Sequence, residues 1–151
     1  MMPARTFLRR SLVALGLAAA PLSIAAAQNG AQLYARCATC HQADGKGITG
    51  AFPPLAGSEW VIGKPDAAIR ILLHGLQGAI TVKGAVYNNA MMAYGTGQAM
   101  TDAEVAAVLT YVRSNFGNKA APVTAQQVAT IRAATKTRNK PWSEAELKAF
   151  R

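Results

Sequence analysis

The sequence contains few of the residues from which metal and thiol sites are usually built. Its 151 residues include two cysteines, two histidines and seven acidic residues. A structural zinc site takes four ligands, and this chain has no third cysteine and only His41 and His74 as imidazoles. The composition therefore disfavours a zinc site. No internal repeat is present either, so we expect one main domain in a chain of this length.

Long apolar runs are absent beyond the N-terminus. There, three arginines precede an uncharged stretch over residues 11–27, which ends in Ala25-Ala26-Ala27. This order is typical of a secretory signal peptide. A retained membrane anchor is the alternative, since the stretch nearly reaches the about 17 residues of the shortest spanning helices, but Pro21 and the small-residue ending favour cleavage. We predict a cleaved signal peptide over residues 1–27, a periplasmic location and no membrane span in the mature chain.

Acidic residues are too few to balance the basic ones, and the excess is uneven. The formal charge of +9 falls to +6 without the three arginines of residues 1–27; residues 28–117 carry +1 and residues 118–151 carry +5. Nucleic acid is not an expected partner, because the chain is predicted to be exported and has no recognised binding motif. The basic extension suggests contact with an acidic protein or an anionic membrane face, or else a solubilising tail.

Period-two alternation is also scarce, and the apolar spacing predicts an all-α fold. Three helices are predicted: one from near Gly30 through Cys37, one from Pro65 to Gly75, and one from Thr101, the N-cap of a capping box with Glu104, to Gly117. The glycine-rich stretches 44–57 and 78–97 are predicted to be loops.

The last part of the chain is predicted to be an extension of that domain. Thr124 with Gln127 and Ser143 with Glu146 each fit a capping box, so two short helices are expected there. The predicted organisation is thus a signal peptide over residues 1–27, one domain over residues 28–117, and a basic C-terminal extension over residues 118–151.

The segment Cys37-Ala38-Thr39-Cys40-His41 carries the strongest functional signal. Two cysteines separated by two residues and followed at once by histidine form the haem-attachment pattern of c-type cytochromes. Side chains three apart on a helix face the same way, so both thiols can meet the two vinyl groups at one haem edge while His41 reaches the iron. The motif predicts one covalent haem c bound by Cys37 and Cys40, with His41 as an axial ligand.

Two other uses of the cysteines compete with haem attachment. A dithiol redox site has the same two-residue gap, but it normally lies at the start of a helix in a strand-helix-strand setting, which the sequence does not show. A structural disulfide is common in exported proteins, yet it gives no reason for the adjacent His41.

The second axial ligand decides between an electron carrier and an enzyme, because two protein ligands leave the iron no vacant position. The candidates outside the signal are Met91, Met92 and Met100. Met91 and Met92 lie in the predicted loop between the second and third helices, where a side chain can approach iron without distorting a helix. Met100 lies at the start of the third helix, where packing is the expected role.

From about Gly30 to Gly117, the sequence resembles the class I cytochrome c family. The resemblance rests on the cysteine motif and on four residues like those at the crossing of the family's first and last helices, namely Gly30, Tyr34, Val108 and Tyr111. It implies an all-helical domain around one covalent haem, with electron transfer as the activity. More narrowly, Trp60 and the runs 73–76, 82–84 and 111–115 resemble small exported cytochromes that exchange electrons with dehydrogenases, reductases or terminal oxidases.

The resemblance also implies roles for individual residues. Phe52-Pro53-Pro54-Leu55 is similar to the family's segment beside the ligand histidine, which implies that the Pro53 carbonyl accepts a hydrogen bond from the His41 ring. The stretch 87–95 looks like the family's ligand loop, which usually reads methionine then proline. This alignment makes Met91 the axial ligand and leaves Met92, which stands where the proline would be, as the alternative.

Trp60 and His74 take less specific roles in this resemblance. Trp60 is expected either to lie against a haem propionate or to pack in the core. His74 is expected on a helix face or beside a propionate, and not on the iron.

Together these observations predict an exported electron-transfer protein, not an enzyme, with redox proteins as its donor and acceptor. A haem enzyme or ligand sensor, for instance a peroxidase-like protein, is the alternative if Met91 is absent from the iron or easily displaced. A thiol-disulfide protein that uses Cys37 and Cys40 is the third.

Overall fold

A computed structural model describes residues 22–95 and 99–151 of the chain. Most of the predicted signal peptide and the end of the predicted 78–97 loop lie outside the described residues. Within them, no helix is both long enough and apolar enough to cross a membrane.

Helices provide most of the regular structure, which confirms the predicted helical class. In chain order the elements are α1 (Leu22–His41), α2 (Glu59–Ile62), α3 (Pro65–His74), β1 (Leu76–Val82), β2 (Ala85–Met91), α4 (Asp102–Ser114), α5 (Ala125–Ala134) and α6 (Glu144–Leu147), followed by a 3-10 turn at Lys148–Phe150.

The starts of the helices follow the predicted capping chemistry. Helix α3 begins at Pro65, whose fixed φ suits the first helical position. At the start of α4, the Glu104 amide donates to the Thr101 hydroxyl over 3.2 Å, and the Thr101 amide donates to the Glu104 carboxylate over 2.8 Å. The end of α4 comes earlier than the predicted Gly117, at Ser114.

Helix α1 is longer than predicted. It begins at Leu22, eight residues before Gly30, and it ends at His41. The predicted cleavage point after Ala27 therefore falls inside the helix. Gln42 then takes a left-handed φ of 63°, which turns the chain out of the helix directly after the cysteine motif.

The prediction of a loop over residues 78–97 is wrong for its first part, which forms an antiparallel hairpin. Strand β1 pairs with β2 from Leu76↔Met91 to Val82↔Ala85. The strands are joined by Lys83 and Gly84, whose φ values of 52° and 80° are those of a tight hairpin turn. The hairpin shows little alternation of apolar and polar residues, because β2 buries only Tyr87 fully and its other residues are exposed or half-buried.

Helices α1 and α4 cross at very short range, and Gly30 permits it. A Cβ atom at Gly30 would lie 2.5 Å from the Ala107 carbonyl oxygen and 2.8 Å from the Tyr111 Cβ. Next to this contact, the Tyr34 and Tyr111 rings pack with centroids 5.5 Å apart. The crossing fixes the direction of α1 and therefore the position of the cysteine motif at its end.

The first half of the extension is part of the main core. Thr124 is the N-cap of helix α5, and its hydroxyl accepts from the Gln127 backbone amide, as the capping box predicts. Val123, Val128 and Ile131 are buried in the same apolar cluster as the residues of α3 and α4. These side chains cover the domain and are not a solvated tail.

The second half of the extension packs against the hairpin. Trp142 forms a parallel bridge with Leu76, in which its amide donates to the Gly75 carbonyl over 3.0 Å. Trp142 and Leu147 are buried in a second cluster with Trp60 and Ile80. The extension thus adds backbone and apolar contacts to both sides of the domain.

Candidate cofactor site

The cysteine motif occupies the last turn of α1, with its thiols and its histidine toward one cavity. Cys37, Cys40 and His41 all line a cavity of about 510 Å³. A second cavity of about 100 Å³ adjoins it, and six residues line both: Cys37, His41, Pro53, Leu76, Ile80 and Met91. The larger volume lies within the roughly 300–1,000 Å³ typical of small-molecule and cofactor sites.

His41 is held in one orientation by a backbone carbonyl. Its Nδ1 lies 2.9 Å from the Pro53 oxygen, the contact that the resemblance implied. Because a carbonyl only accepts, Nδ1 carries the proton and Nε2 keeps a free lone pair. Burial lowers the pKa of His41, and the hydrogen bond to Pro53 opposes this shift in part. The ring is therefore neutral at pH 7 and is able to ligate a metal through Nε2.

The loop after α1 brings Pro53 to this position through Gly47. Gly47 donates its amide to the His41 carbonyl over 2.9 Å and has a φ of 68°. A Cβ atom there would lie 2.7 Å from the Pro53 carbonyl oxygen, so no side chain fits at this position. The loop is recognisably rich in glycine, but nothing in the sequence marks Gly47 among its glycines.

Two backbone hydrogen bonds between Ile48 and Phe52, each 2.8 Å, close the loop just before Pro53. Asn118 fixes the far end of the same loop. It is buried, donates to the Leu55 carbonyl over 3.1 Å and accepts from the Gly57 amide over 2.8 Å. Asn118 was predicted only as the first residue of the extension, because nothing local in the sequence marks a buried asparagine.

Arg113 is a second buried polar residue; it lies in the run 111–115, but nothing local in the sequence marks its burial. Its guanidinium donates to the carbonyls of Val61, Gly63 and Ala121, and only 3% of the residue is exposed. Burial lowers its pKa, but an arginine stays charged in proteins. Arg113 joins α4 to the end of α2 and to the start of the extension, behind the wall of the smaller cavity.

The two neighbouring methionines face different surroundings. Met91 is the last residue of β2, is half-buried and lines both cavities beside His41. Met92 lies at the rim of the larger cavity with 70% of its surface exposed. Consecutive residues of extended chain point to opposite sides, which accounts for the difference.

The remaining candidates, Met100 and Trp60, do not line the larger cavity. Met100 is 2% exposed inside the main core. Trp60 lines the smaller cavity, but its indole N–H donates to the Thr81 carbonyl over 2.8 Å. This bond fixes Trp60 to β1 and leaves its only donor unavailable to a propionate.

His74 serves the docking of the extension. Its Nε2 lies 2.8 Å from the Thr135 hydroxyl oxygen, and that hydroxyl lies 2.7 Å from the Ile131 carbonyl. Because the Thr135 hydroxyl donates to Ile131, it accepts from His74 Nε2–H. His74 lines neither cavity, and its place off the iron stays a prediction.

The thiols do not have the environment of a dithiol redox catalyst. Burial raises the pKa of Cys37 to about 11, against the opposing charge of Arg36. Reactive thiols need a lowered pKa, which helix N-termini provide, whereas Cys37 and Cys40 lie in the last turns of α1, where the helix dipole disfavours a thiolate.

An apolar cavity with two thiols, an oriented imidazole and a thioether on its walls fits a covalently attached haem. Thiols react with the vinyl groups of haem. The nitrogen of an imidazole and the sulfur of a thioether both ligate haem iron, and the apolar walls suit a porphyrin ring. Fold and site together define the class of protein, a small c-type cytochrome.

Comparison with known proteins agrees with this class. The family model described as "Cytochrome c" matches residues 27–116, and the chain belongs to the cytochrome c family. It carries a covalent haem c and transfers electrons. Two cytochromes c-552 of Thermus thermophilus are similar: one is 42% identical over 135 residues, covering 83% of this chain and 88% of that protein, and the other is 43% identical over 114 residues, covering 70% and 85%.

Subunits of larger enzymes also contain a similar segment. The fructose dehydrogenase cytochrome subunit of Gluconobacter japonicus is 37% identical over 115 residues, which is 72% of this chain and 23% of that subunit. The cytochrome c subunit of the quinone alcohol dehydrogenase of Gluconacetobacter polyoxogenes is 32% identical over 106 residues, which is 68% of this chain and 22% of that subunit.

Proposed function

We propose that this protein is an exported one-electron carrier in which Cys37 and Cys40 hold the haem by thioether bonds and His41 and Met91 are its two axial ligands. The observation that carries the proposal is the pair of ligand types on one cavity: His41, with its proton committed to Pro53, and Met91, half-buried on the same walls.

Each of these residues contributes a definite part of the chemistry. When bound, the haem supplies a ferrous/ferric couple that accepts and releases one electron. Pro53 fixes the tautomer and the ring orientation of His41, which a ligand histidine generally needs. Leu76 and Ile80 of the hairpin give the cavity buried apolar walls, and Met91 supplies a thioether, a ligand that raises the reduction potential of haem.

The proposal excludes a role as a haem enzyme or ligand sensor, since both require an open or labile position on the iron. We expect the reduced wild-type protein to show no change in its absorption spectrum under carbon monoxide at neutral pH. The Met91→Ala variant, which lacks the second ligand, should bind carbon monoxide readily and serves as the positive control. Saturable binding by the wild-type protein at neutral pH would overturn the carrier assignment and favour the enzyme or sensor.

For partners, we propose redox proteins of the exported compartment, with a dehydrogenase as one candidate donor. Support comes from the dehydrogenase subunits that contain a similar segment. In the extension, Lys119 and Lys136 are exposed and have no ion-pair partner among the described residues, while Arg132 and Arg138 are paired with carboxylates. These unpaired lysines are part of the charge of the +5 extension that is available to an acidic partner.

A test of this surface compares charge reversals inside and outside the extension. We expect Lys136→Glu to slow the reduction of hexacyanoferrate(III), a trianion, by about two- to fivefold at low ionic strength, and the difference to vanish at high salt. Lys64→Glu, at the exposed start of α3, changes the charge equally and is the control. Stopped-flow rates over a series of salt concentrations measure both. Equal effects of the two variants would remove the extension from the docking surface.

A further inference from the structure

We propose that Arg132, in helix α5 of the extension, is a positioning residue that holds the segment after Met91 and so keeps the Met91 thioether at the haem iron. This inference rests on the proposed His41/Met91 ligation. It gives the extension a part in the site, although none of the residues beyond 117 lines either cavity.

The guanidinium of Arg132 contacts three groups around this segment. Its Nε donates to the Asp102 carboxylate over 2.7 Å, Nη2 donates to the Met100 carbonyl over 2.8 Å, and Nη1 donates to the Gly95 carbonyl over 3.3 Å. The side chain is about two-thirds buried, with 31% of it exposed. Arg132 therefore binds the stretch that joins β2 to α4 at two points, Gly95 on the side of β2 and Met100 on the side of α4.

The backbone of that stretch is already folded back on the domain at the same points. The Tyr94 amide donates to Leu72 over 2.8 Å, the Gly95 amide donates to Leu73 over 3.0 Å, and the Met100 amide donates to the Tyr94 carbonyl over 2.8 Å. Each of these bonds uses an amide, and the carbonyls of Gly95 and Met100 face Arg132 instead. The guanidinium of Arg132 binds these two carbonyls, which the amide hydrogen bonds leave without a donor.

Gly95 lets the stretch sit directly on α3. A Cβ atom at this position would meet the backbone of Leu73 at its carbonyl, so the contact requires glycine. The path from Met91 to this anchor is short, because only Met92, Ala93 and Tyr94 lie between them. A shift of Gly95 away from α3 would therefore move the end of β2, where Met91 stands.

Asp102 makes the arrangement specific for arginine. It is the first residue of α4, and its carboxylate fixes the guanidinium plane so that the two terminal nitrogens reach two different carbonyls. Lysine carries the same charge but presents a single point donor. We therefore expect the Arg132→Lys variant to keep the ion pair with Asp102 and to lose at least one of the two carbonyl contacts.

Displacement of the methionine by an added ligand measures this effect directly. Imidazole can replace a thioether on ferric haem only if the methionine moves off the iron, and the cost of moving its segment enters the apparent affinity. We expect Arg132→Gln to raise the affinity of the oxidised holoprotein for imidazole by about tenfold, the effect of two lost hydrogen bonds. Arg132→Lys should lie between the wild-type protein and Arg132→Gln.

Arg138→Gln is the matched control, because it removes one positive charge from the same extension. Arg138 pairs with Glu146 and stacks on Trp142, and it makes no hydrogen bond to the described residues of the stretch after Met91. The affinity of the Arg138→Gln variant for imidazole should equal that of the wild-type protein. Equal affinities for wild type and both Arg132 variants would overturn the inference, and so would an equal rise in Arg138→Gln, which would indicate general loosening.

Two further measurements keep the outcomes separate. The methionine-to-iron absorption band of the oxidised protein should fade at a lower temperature in Arg132→Gln than in the wild type, before global unfolding seen by far-UV circular dichroism. If Arg132→Gln does not accumulate, Arg132→Lys decides alone through its imidazole affinity. Persistence of the band in Met91→Ala would contradict the ligand assignment itself, whatever the Arg132 variants do.

Discussion

Met91→Ala should abolish the methionine-to-iron absorption of the oxidised protein and lower its reduction potential, while Met92→Ala should change neither. The reason is the position of the two side chains: Met91 lines the cavity beside His41, and Met92 is exposed at the rim. A thioether opposite histidine raises the potential of haem, so its loss favours the ferric state. Optical spectroscopy and redox titration of the purified holoproteins measure both effects.

The paired variants also serve as each other's control, since they remove the same side chain from adjacent positions. Both should retain covalent haem, because neither touches Cys37, Cys40 or His41. Loss of the band in Met92→Ala and its survival in Met91→Ala would assign the ligand to Met92. Loss in both variants would show that the segment, and not one thioether, determines the ligation.

The chemistry of the site was accessible from the sequence because its main parts are local. Cys37, Cys40 and His41 are fixed relative to one another by one helical turn, and no long-range contact is needed to bring them together. The Pro53 contact is longer in range, and the sequence indicated it only through the family resemblance. Gly47, which places Pro53, is required by a close backbone approach that exists only in the folded chain.

The hairpin was not predicted because the alternation that one-sided burial normally produces is interrupted in both strands. Leu76, Ile80 and Val82 are buried in β1, but Gln77 and Ala79 between them are exposed and Gly78 interrupts the run. Strand β2 contributes one fully buried residue, Tyr87, and the half-buried Met91 at its end. Pairing of the backbones and contact with Trp142 hold the strands, and neither leaves a periodic trace in the sequence.

The extension shows the largest difference between charge pattern and structure. Its net charge suggested contact with an acidic protein or an anionic membrane face, or else a solubilising tail, yet five of its large apolar residues are buried: Val123, Val128, Ile131, Trp142 and Leu147. They are spaced too widely to form one helical stripe. Part of its charge is also satisfied internally. Hydrogen bonds from Ser143, together with Arg138, lower the pKa of Glu146 to about 2, and Arg138 lies with its guanidinium carbon 3.4 Å from the Trp142 ring centre.

Deletion of residues 118–151 is consequently a poor test of partner docking. It would remove Asn118 from the loop beside His41 and five or more apolar side chains from the two clusters. A change in electron-transfer rate would then reflect a damaged site. Single charge reversals at exposed lysines change the surface and leave the core intact.

Trp142→Ala should destabilise the protein by about 3–5 kcal/mol, the usual cost of truncating a buried tryptophan. Trp142 is 8% exposed and packs between the hairpin and α6, with the Phe150 ring 5.8 Å from its own. A domain of this kind has a total stability of roughly 5–15 kcal/mol, so a large part of it would be lost. Guanidinium chloride unfolding of the oxidised holoprotein, analysed for both the free energy and the m-value, measures the change.

Phe150→Ala is the control for Trp142→Ala, since it removes a half-buried ring from the same cluster and should cost less, about 1–2 kcal/mol. A loss below about 1 kcal/mol in Trp142→Ala would mean that the second half of the extension is only loosely attached. The variant also separates stability from ligand positioning. Val128 and Ile131 anchor α5 in the other cluster, so Arg132 keeps its contacts, and imidazole affinity under native conditions should stay unchanged while global stability falls.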